Sequence, residues 1–95
     1  MATSNDFYLY VKECLKDIPG ISYRRMMGEY IIYKNNIVIG GLYDNRFLLK
    51  KTPSIACRGY REEIPYPGAK AMLKVDFEDN ELIEEIIDLV YRDLL

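Results

Sequence analysis

Two pairs of turn-forming residues, Asn35-Asn36 and Asp44-Asn45, constrain the fold of this 95-residue chain more than any other feature. Each pair separates two segments that are rich in β-branched, aromatic and other apolar residues. Asn and Asp tolerate positive φ better than other non-glycine residues, so both pairs suit the two-residue type I′ turns that join antiparallel strands. The sequence therefore predicts a meander of three strands, at about 29–34, 37–43 and 46–51.

Two more strands and three helices surround this meander. Residues 22–27 predict another strand, or the first half of a long strand that bends at Gly28, and residues 70–77 alternate apolar and polar side chains as a strand does. Apolar residues at helical spacing predict helices over about 4–17, over roughly 53–60 and up to about Leu94. Residues that cap helix N-termini precede them: Thr3 with Asp6 in a pattern that resembles a capping box, Thr52 before Pro53, and Asp79 or Asn80.

These elements predict a single α+β domain over residues 1–95. We expect two layers: an antiparallel meander sheet of about five strands, with the helices packed on one face. The expected order is α-β-β-β-β-α-β-α. A connector rich in turn-forming residues, Ile64-Pro65-Tyr66-Pro67-Gly68, precedes the last strand.

An uninterrupted register from the two turns assigns every strand residue to one of two sheet faces. The predicted core face carries Ile31, Tyr33, Val38, Leu42, Phe47 and Leu49, joined by Ala71, Leu73, Val75 and Phe77. The opposite face carries Tyr30, Ile32, Lys34, Ile37, Ile39, Tyr43, Arg46, Leu48 and Lys50, with Met72 and Lys74 nearby. This second face mixes large apolar and basic residues, which three short helices on the other side cannot cover.

Three interpretations of the second face remain open. A loop or helix covers it; it mediates self-association or binds a protein partner, since contiguous apolar patches mark interaction sites; or its tyrosines and basic residues bind a nucleic acid. The binding candidates are Arg25, Tyr30, Ile39, Tyr43, Arg46, Lys50, Met72 and Lys74. Arg24 and Arg25 alternate, so one of them should lie beside the helices with an acidic partner such as Glu62, and the other should point outward.

Charge and composition bear on the function class. Residues 24–74 hold ten basic and four acidic residues, whereas residues 76–95 hold one basic and eight acidic residues. The formal net charge of −2 argues against a surface that attracts nucleic acids in general. The chain has no histidine, and its two cysteines, Cys14 and Cys57, suggest neither a disulfide framework nor an activated nucleophile.

We therefore expect no enzymatic activity, no cofactor, no metal and no evident small-molecule substrate. The Gly40-Gly41 pair lies inside a strand and is expected to admit a close neighbour such as an aromatic ring, instead of forming a phosphate loop. No apolar run approaches the roughly 18–20 residues that span a bilayer, and the N-terminus lacks the features of a signal peptide. A cytoplasmic location without membrane association is the resulting expectation.

The stretch YRRMMGEYIIYKNNIVIGGLYDNRFLLKK, followed by IPYPGAKAMLKVDF and a closing amphipathic helix, resembles the N-terminal domain of the TfoX family of competence regulators. Matching positions are Arg24 or Arg25, Met26, Gly28, Tyr30, Tyr33, Phe47, Leu49, Lys50 and Tyr66. Met27, Glu29 and Ile31 depart from the pattern. The resemblance implies an α+β two-layer fold and a regulatory or scaffolding role in transcription, with no known enzymatic activity. It identifies no DNA-contacting residues.

Overall fold

The computed structural model describes residues 2–77 and 80–95, and six strands in these ranges form one antiparallel sheet. The strands are β1 (Ile21–Met26), β2 (Glu29–Lys34), β3 (Ile37–Leu42), β4 (Phe47–Leu49), β5 (Arg61–Glu63) and β6 (Met72–Lys74). They lie side by side in the order β1-β2-β3-β4-β6-β5. The helices of the described ranges are α1 (Asn5–Cys14), α2 (Pro53–Ala56) and α3 (Asn80–Leu94). The predicted α+β fold with an antiparallel sheet is confirmed.

The predicted type I′ turns are present. The φ angles are 48° at Asn35 and 69° at Asn36, and 51° at Asp44 and 58° at Asn45. A third turn of the same kind separates β1 from β2, with φ of 52° at Met27 and 82° at Gly28. Ile21–Met26 therefore forms a separate strand, and residues 22–27 are not the first half of one long bent strand.

Three details of the predicted elements are wrong. Strand β5 was not predicted, because Arg61–Glu63 is short and wholly charged and carries no apolar signal. The N-cap of α1 is Ser4, whose Oγ accepts a hydrogen bond from Phe7 N at 3.1 Å. Helix α1 ends at Cys14 and α2 at Ala56, both earlier than expected. Thr52 is the N-cap of α2 as predicted, whereas Asp79 lies outside the described residues.

A β-bulge in β3 decides which residues enter the core. Tyr33 pairs with Val38, but the next residue of β2 toward its start, Ile32, pairs with Gly40, so Ile39 is the extra residue. Because side chains alternate along a strand, one extra residue exchanges the faces of everything beyond it. The faces assigned to β2 by an uninterrupted register are therefore inverted, whereas Leu42, Phe47, Leu49, Leu73 and Val75 lie in the core as predicted.

This inversion corrects the predicted outer surface. Ile32 and Ile39 are fully buried in the main core, and Tyr30 is buried with its ring stacked on Tyr8 at a centroid distance of 4.0 Å. Lys34 is buried as well; its Nζ donates to the Pro19 carbonyl at 3.4 Å. Tyr30 and Ile39 therefore cannot form part of an exposed binding surface. The side chains of Ile31, Tyr33 and Val38, predicted to be core, are only half-buried.

The three helices pack their apolar stripes against the sheet face that carries the buried strand residues. Val11 and Leu15 from the α1 region, Ile55 from α2 and Ile87 from α3 join the strand residues in one cluster. The stripe of α3 also contributes Ile83, Ile86 and Val90, as helical spacing predicted. The sheet face that points away from the helices is called the outer face below.

A pair of adjacent isoleucines tests the bulge. Ile32→Ala should lower the free energy of unfolding by about 2–4 kcal/mol, because the side chain is fully buried and its removal leaves a cavity. Ile31→Ala, on the outer face, should cost less than about 1 kcal/mol. Urea melts of both variants provide the measurement. A larger loss for Ile31→Ala would show that the sheet runs without the bulge.

Candidate functional site

The outer face is covered over part of its area. Leu48 is fully buried but lies outside the main core cluster, although its neighbours Phe47 and Leu49 belong to that cluster. Alternation along β4 therefore directs Leu48 to the outer face. Leu48 pairs with Gly41, where an added Cβ would lie 2.6 Å from the Tyr43 ring. The expected aromatic neighbour of the glycine pair is thus Tyr43, which lies over this part of the sheet.

Arg46 fixes the connector, residues 64–68, to this face. Its guanidinium donates to Glu63 Oε1 at 2.8 Å and to the carbonyls of Ile64 and Pro65, both at 3.3 Å. Its Nε donates to the Tyr43 carbonyl at 3.0 Å. These hydrogen bonds satisfy carbonyls that a loop without regular structure would otherwise leave to solvent. Arg46 therefore holds the connector in place and is not a free binding group.

An apolar groove lies between the connector and the β1–β2 turn. It has a volume of about 970 Å³, with Met26 and Met27 on one side and Ile64, Pro65, Tyr66 and Pro67 on the other. Ile31 and Tyr43 also line it. Several of these side chains are unusually exposed for large apolar residues: 96% for Met27, 58% for Tyr66, 55% for Ile64 and 48% for Met26. This groove concentrates the exposed apolar area of the outer face.

A basic pocket adjoins the groove. Its volume is about 430 Å³, and it shares Tyr43, Pro65 and Tyr66 with the groove. The lysines that line it are Lys50, Lys51 and Lys70. Lys51 forms an ion pair with Glu62 at 3.0 Å, whereas Lys50 and Lys70 form none within the described residues. The two cavities together make one surface that is apolar at one end and basic at the other.

Carboxylates lie at the apolar end. Glu29 lines the groove, and its Oε2 accepts a hydrogen bond from Asp44 N at 2.9 Å. The other oxygen, Oε1, is buried without a hydrogen-bond partner among the described residues. Burial raises the pKa of the nearby Tyr43 hydroxyl, and the neighbouring Tyr66 and Glu29 add to this shift. Tyr43 is therefore neutral at physiological pH.

The structure brings together only some of the predicted binding residues. Tyr43, Lys50 and Met72 line the basic pocket, and Tyr43 and Arg46 line the groove. Lys74 lines a different depression beside Phe47, which Arg46 also borders. Arg25 is exposed on β1 and lines none of these three cavities. Arg24 is exposed too, so the prediction that one of the two arginines is buried with an acidic partner such as Glu62 is wrong.

Sequence reasoning missed the residues that border the groove and the pocket. Ile64 and Tyr66 alternate with prolines in the connector, which was interpreted only as a turn-rich link. The sequence signal that could have indicated the groove is the presence of large apolar side chains in a segment that is not predicted to be a strand or a helix. Lys51 and Lys70 were visible only as part of the basic middle of the chain. The order of strands, with β6 between β4 and β5, brings them together.

Comparison with known proteins adds one relative. The chain is 42% identical over 74 residues to an uncharacterised 12.7 kDa protein of the trpE 5′ region in Spirochaeta aurantia. The match covers 74% of this chain and 63% of that protein. No family model matches the chain. The relative's name states no activity, so the function has to be argued from the geometry.

The described part of the chain shows neither a metal-binding cluster nor a membrane-spanning helix. Within residues 2–77 and 80–95, no cluster of three or more Cys, Asp or Glu side chains is arranged to hold a metal ion. Across the same residues, no helix combines the length and the apolarity that crossing a membrane would require.

Replacement of Arg46 should loosen the connector. Arg46→Ala should cost about 2 kcal/mol in the free energy of unfolding, because charged hydrogen bonds to a carboxylate and to carbonyls are lost. Arg61→Ala is the matched control: its side chain is 80% exposed and lies 3.4 Å from the same Glu63, so it should cost less than about 0.5 kcal/mol. Equal costs in urea melts would contradict the role of Arg46.

The same variant should change the response to acid. The hydrogen bond from Arg46 lowers the pKa of Glu63 below its ordinary value of 4.5. The ion pair therefore stabilises the fold above pH 4.5, and this stabilisation is lost as the pH falls through the lowered pKa of the folded state. The difference between wild type and Arg46→Ala should shrink from pH 7 to pH 3 in urea melts. A constant difference would show that the ion pair contributes nothing.

Proposed function

We propose that this chain is a non-enzymatic protein-interaction module and that the apolar groove of its outer face binds a protein partner. The observation that carries the proposal is Met27, which is 96% exposed and has a φ of 52°. A residue other than glycine, asparagine or aspartate is uncommon at such a φ. A large apolar side chain thus occupies a backbone position that it disfavours and is exposed to solvent there.

The other two turns of the sheet serve as an internal comparison. They use Asn35-Asn36 and Asp44-Asn45, the residue types that suit positive φ. Of these three turns, only the one between β1 and β2 carries a large apolar residue, Met27, at the equivalent position. Strained residues cluster at functional sites, and methionine adapts its shape to varied apolar partners. Met26, Ile64 and Tyr66 extend the same surface, so the exposed apolar area is contiguous, as at interaction sites.

The resemblance to the TfoX N-terminal domain supports a regulatory setting for this interaction. It suggests a role in the control of transcription in the cytoplasm, exerted through contact with other proteins. Neither catalysis nor a cofactor is part of the proposal. The partner is either another protein or a second copy of the chain.

Selection from a random peptide display library tests the proposal. Wild type should enrich peptides that carry bulky apolar residues. Met27→Asn should bind the enriched peptides at least about fivefold more weakly, because loss of one well-packed apolar anchor costs more than about 1 kcal/mol. Asn followed by Gly28 is the preferred type I′ sequence, so the variant should unfold at the same or higher urea concentration.

The matched control is Leu9→Gln on α1. Leu9 is 51% exposed but lies on the helical side of the sheet, so its replacement should leave peptide binding unchanged. Should wild type enrich no apolar peptides, or should Met27→Asn bind them as wild type does, the groove is not an interaction site. Stability measured alongside separates a binding defect from misfolding.

Nucleic-acid binding is a second candidate function, favoured by one arrangement. Tyr43 and Tyr66 line the same pocket as Lys50, Lys51 and Lys70, and aromatic rings beside lysines are the elements of single-strand binding sites. In that case wild type should bind a single-stranded oligonucleotide with an affinity that falls steeply with salt. Tyr66→Ala should then weaken binding by about 1–3 kcal/mol. Micromolar affinity near 0.15 M salt would favour this candidate over the first.

A further inference from the structure

We propose that the partner segment is an extended peptide that combines bulky apolar residues with Asp or Glu, and that it lies across the groove and the basic pocket together. Its apolar side chains fill the groove, and its carboxylates lie against Lys50 and Lys70. This inference rests on the proposed function and specifies the chemistry of the partner.

Charge complementarity carries the acidic half of the proposal. Lys50 is half-buried and Lys70 is exposed, and neither has an ion-pair partner among the described residues. Lys51, on the same pocket, is already neutralised by Glu62. The pocket therefore offers two uncompensated positive charges to a ligand. Complementary potentials of this kind select partners and speed their association.

The groove and the basic pocket share a wall and therefore form one continuous surface. Tyr43, Pro65 and Tyr66 border both, and the Tyr43 and Tyr66 rings lie 6.1 Å apart between their centroids. A single extended segment can therefore contact the groove and the pocket without a gap. Glu29 and Asp44 line the groove, and the basic residue that lines it, Arg46, is already paired with Glu63. The groove therefore disfavours the carboxylates of a bound segment. The surface thus has a direction, with the acidic residues of the segment at the lysine end.

A protein segment fits this surface better than the other occupants. Nucleic acids offer no side chains for a groove lined by Met26, Met27 and Ile64. A second copy that bound through the same face with its ends in the same order would bring its own Lys50 and Lys70 against this pocket. Burying like charges against each other opposes that arrangement.

The experiment uses the full chain and the peptides selected from the random library. Among the apolar peptides enriched by wild type, those with Asp or Glu should predominate over those with Lys or Arg. Lys50→Gln/Lys70→Gln should bind a fluorescein-labelled selected peptide about tenfold more weakly at low salt, and the loss should shrink near 0.5 M salt, where charges are screened. Gln keeps the first two methylene groups of the lysine stem and stays polar, so folding should be unchanged in urea melts.

Lys12→Gln/Lys16→Gln removes the same two charges from exposed positions on the helical side and should leave peptide affinity unchanged. If the enriched peptides are apolar without a charge preference, or if the two double variants behave alike, the acidic partner is wrong while the groove remains an interaction site. If Met27→Asn binds the peptides normally and only the Lys50/Lys70 variant loses them, the proposed function itself is overturned. If sedimentation shows a dimer, a second copy of the chain occupies this surface instead of the peptide. If a single-stranded oligonucleotide displaces the peptide, a nucleic acid is the occupant.

Discussion

The bulge at Ile39 is the constraint on which the other parts of the structure depend. It places Ile39 and Gly40 opposite the single residue Ile32 and so turns the buried face of β2 toward the helices. Tyr30 then stacks on Tyr8 of α1, which joins the first helix to the sheet. Without the bulge, Ile32 and Ile39 would lie on the outer face, as an uninterrupted register predicts, and the core would lose two fully buried side chains. Fully burying such a side chain stabilises the fold by roughly 1.5–3 kcal/mol.

Gly40 makes the bulge compatible with the neighbouring strand. An added Cβ at this position would lie 2.2 Å from the Leu48 carbonyl oxygen, well inside van der Waals contact. Because that oxygen belongs to the backbone of β4, it cannot move aside as a flexible side chain would. The close approach of β3 and β4 at this point therefore requires glycine. The same strand pair brings Tyr43 over Gly41 and so shapes the boundary between the groove and the pocket.

The sequence predicted the turns at Asn35-Asn36 and Asp44-Asn45, the order of the long strands and the apolar stripe of α3, because each of these depends on local residue types. It did not predict the bulge, since a bulge in β3 is a property of how two strands pair and leaves no local signature beyond Gly40. Because the extra residue Ile39 was missed, the predicted faces of β2 were inverted, although the alternation of side chains along the strand was interpreted correctly. Leu42 and Phe47 kept their predicted face because they lie on the other side of the bulge, next to the turn at Asp44-Asn45.

The candidate site was predicted only in part, for a related reason. Tyr43, Lys50 and Met72 belong to strands or their ends, so their presence on the outer face followed from alternation. Ile64 and Tyr66 belong to a connector whose path depends on the hydrogen bonds of Arg46, and no periodicity encodes that path. Arg46 itself was interpreted as a binding residue because its charge is visible in the sequence. The hydrogen-bond partners of Arg46, which are mainly backbone carbonyls, are not visible in the sequence.

The strain at Met27 persists because the surrounding structure holds its turn from outside. Thr3 N donates to the Gly28 carbonyl at 3.0 Å, and Thr3 Oγ1 accepts from Asn45 N at 3.3 Å. Ser4 N in turn donates to Asn45 Oδ1 at 2.8 Å, so the N-terminal segment ties the β1–β2 turn to the β3–β4 turn. A strained backbone is stable only where neighbouring contacts over-determine it. The turn conformation is thus set by tertiary hydrogen bonds, which leaves the side chain at position 27 available for the partner contact that we propose.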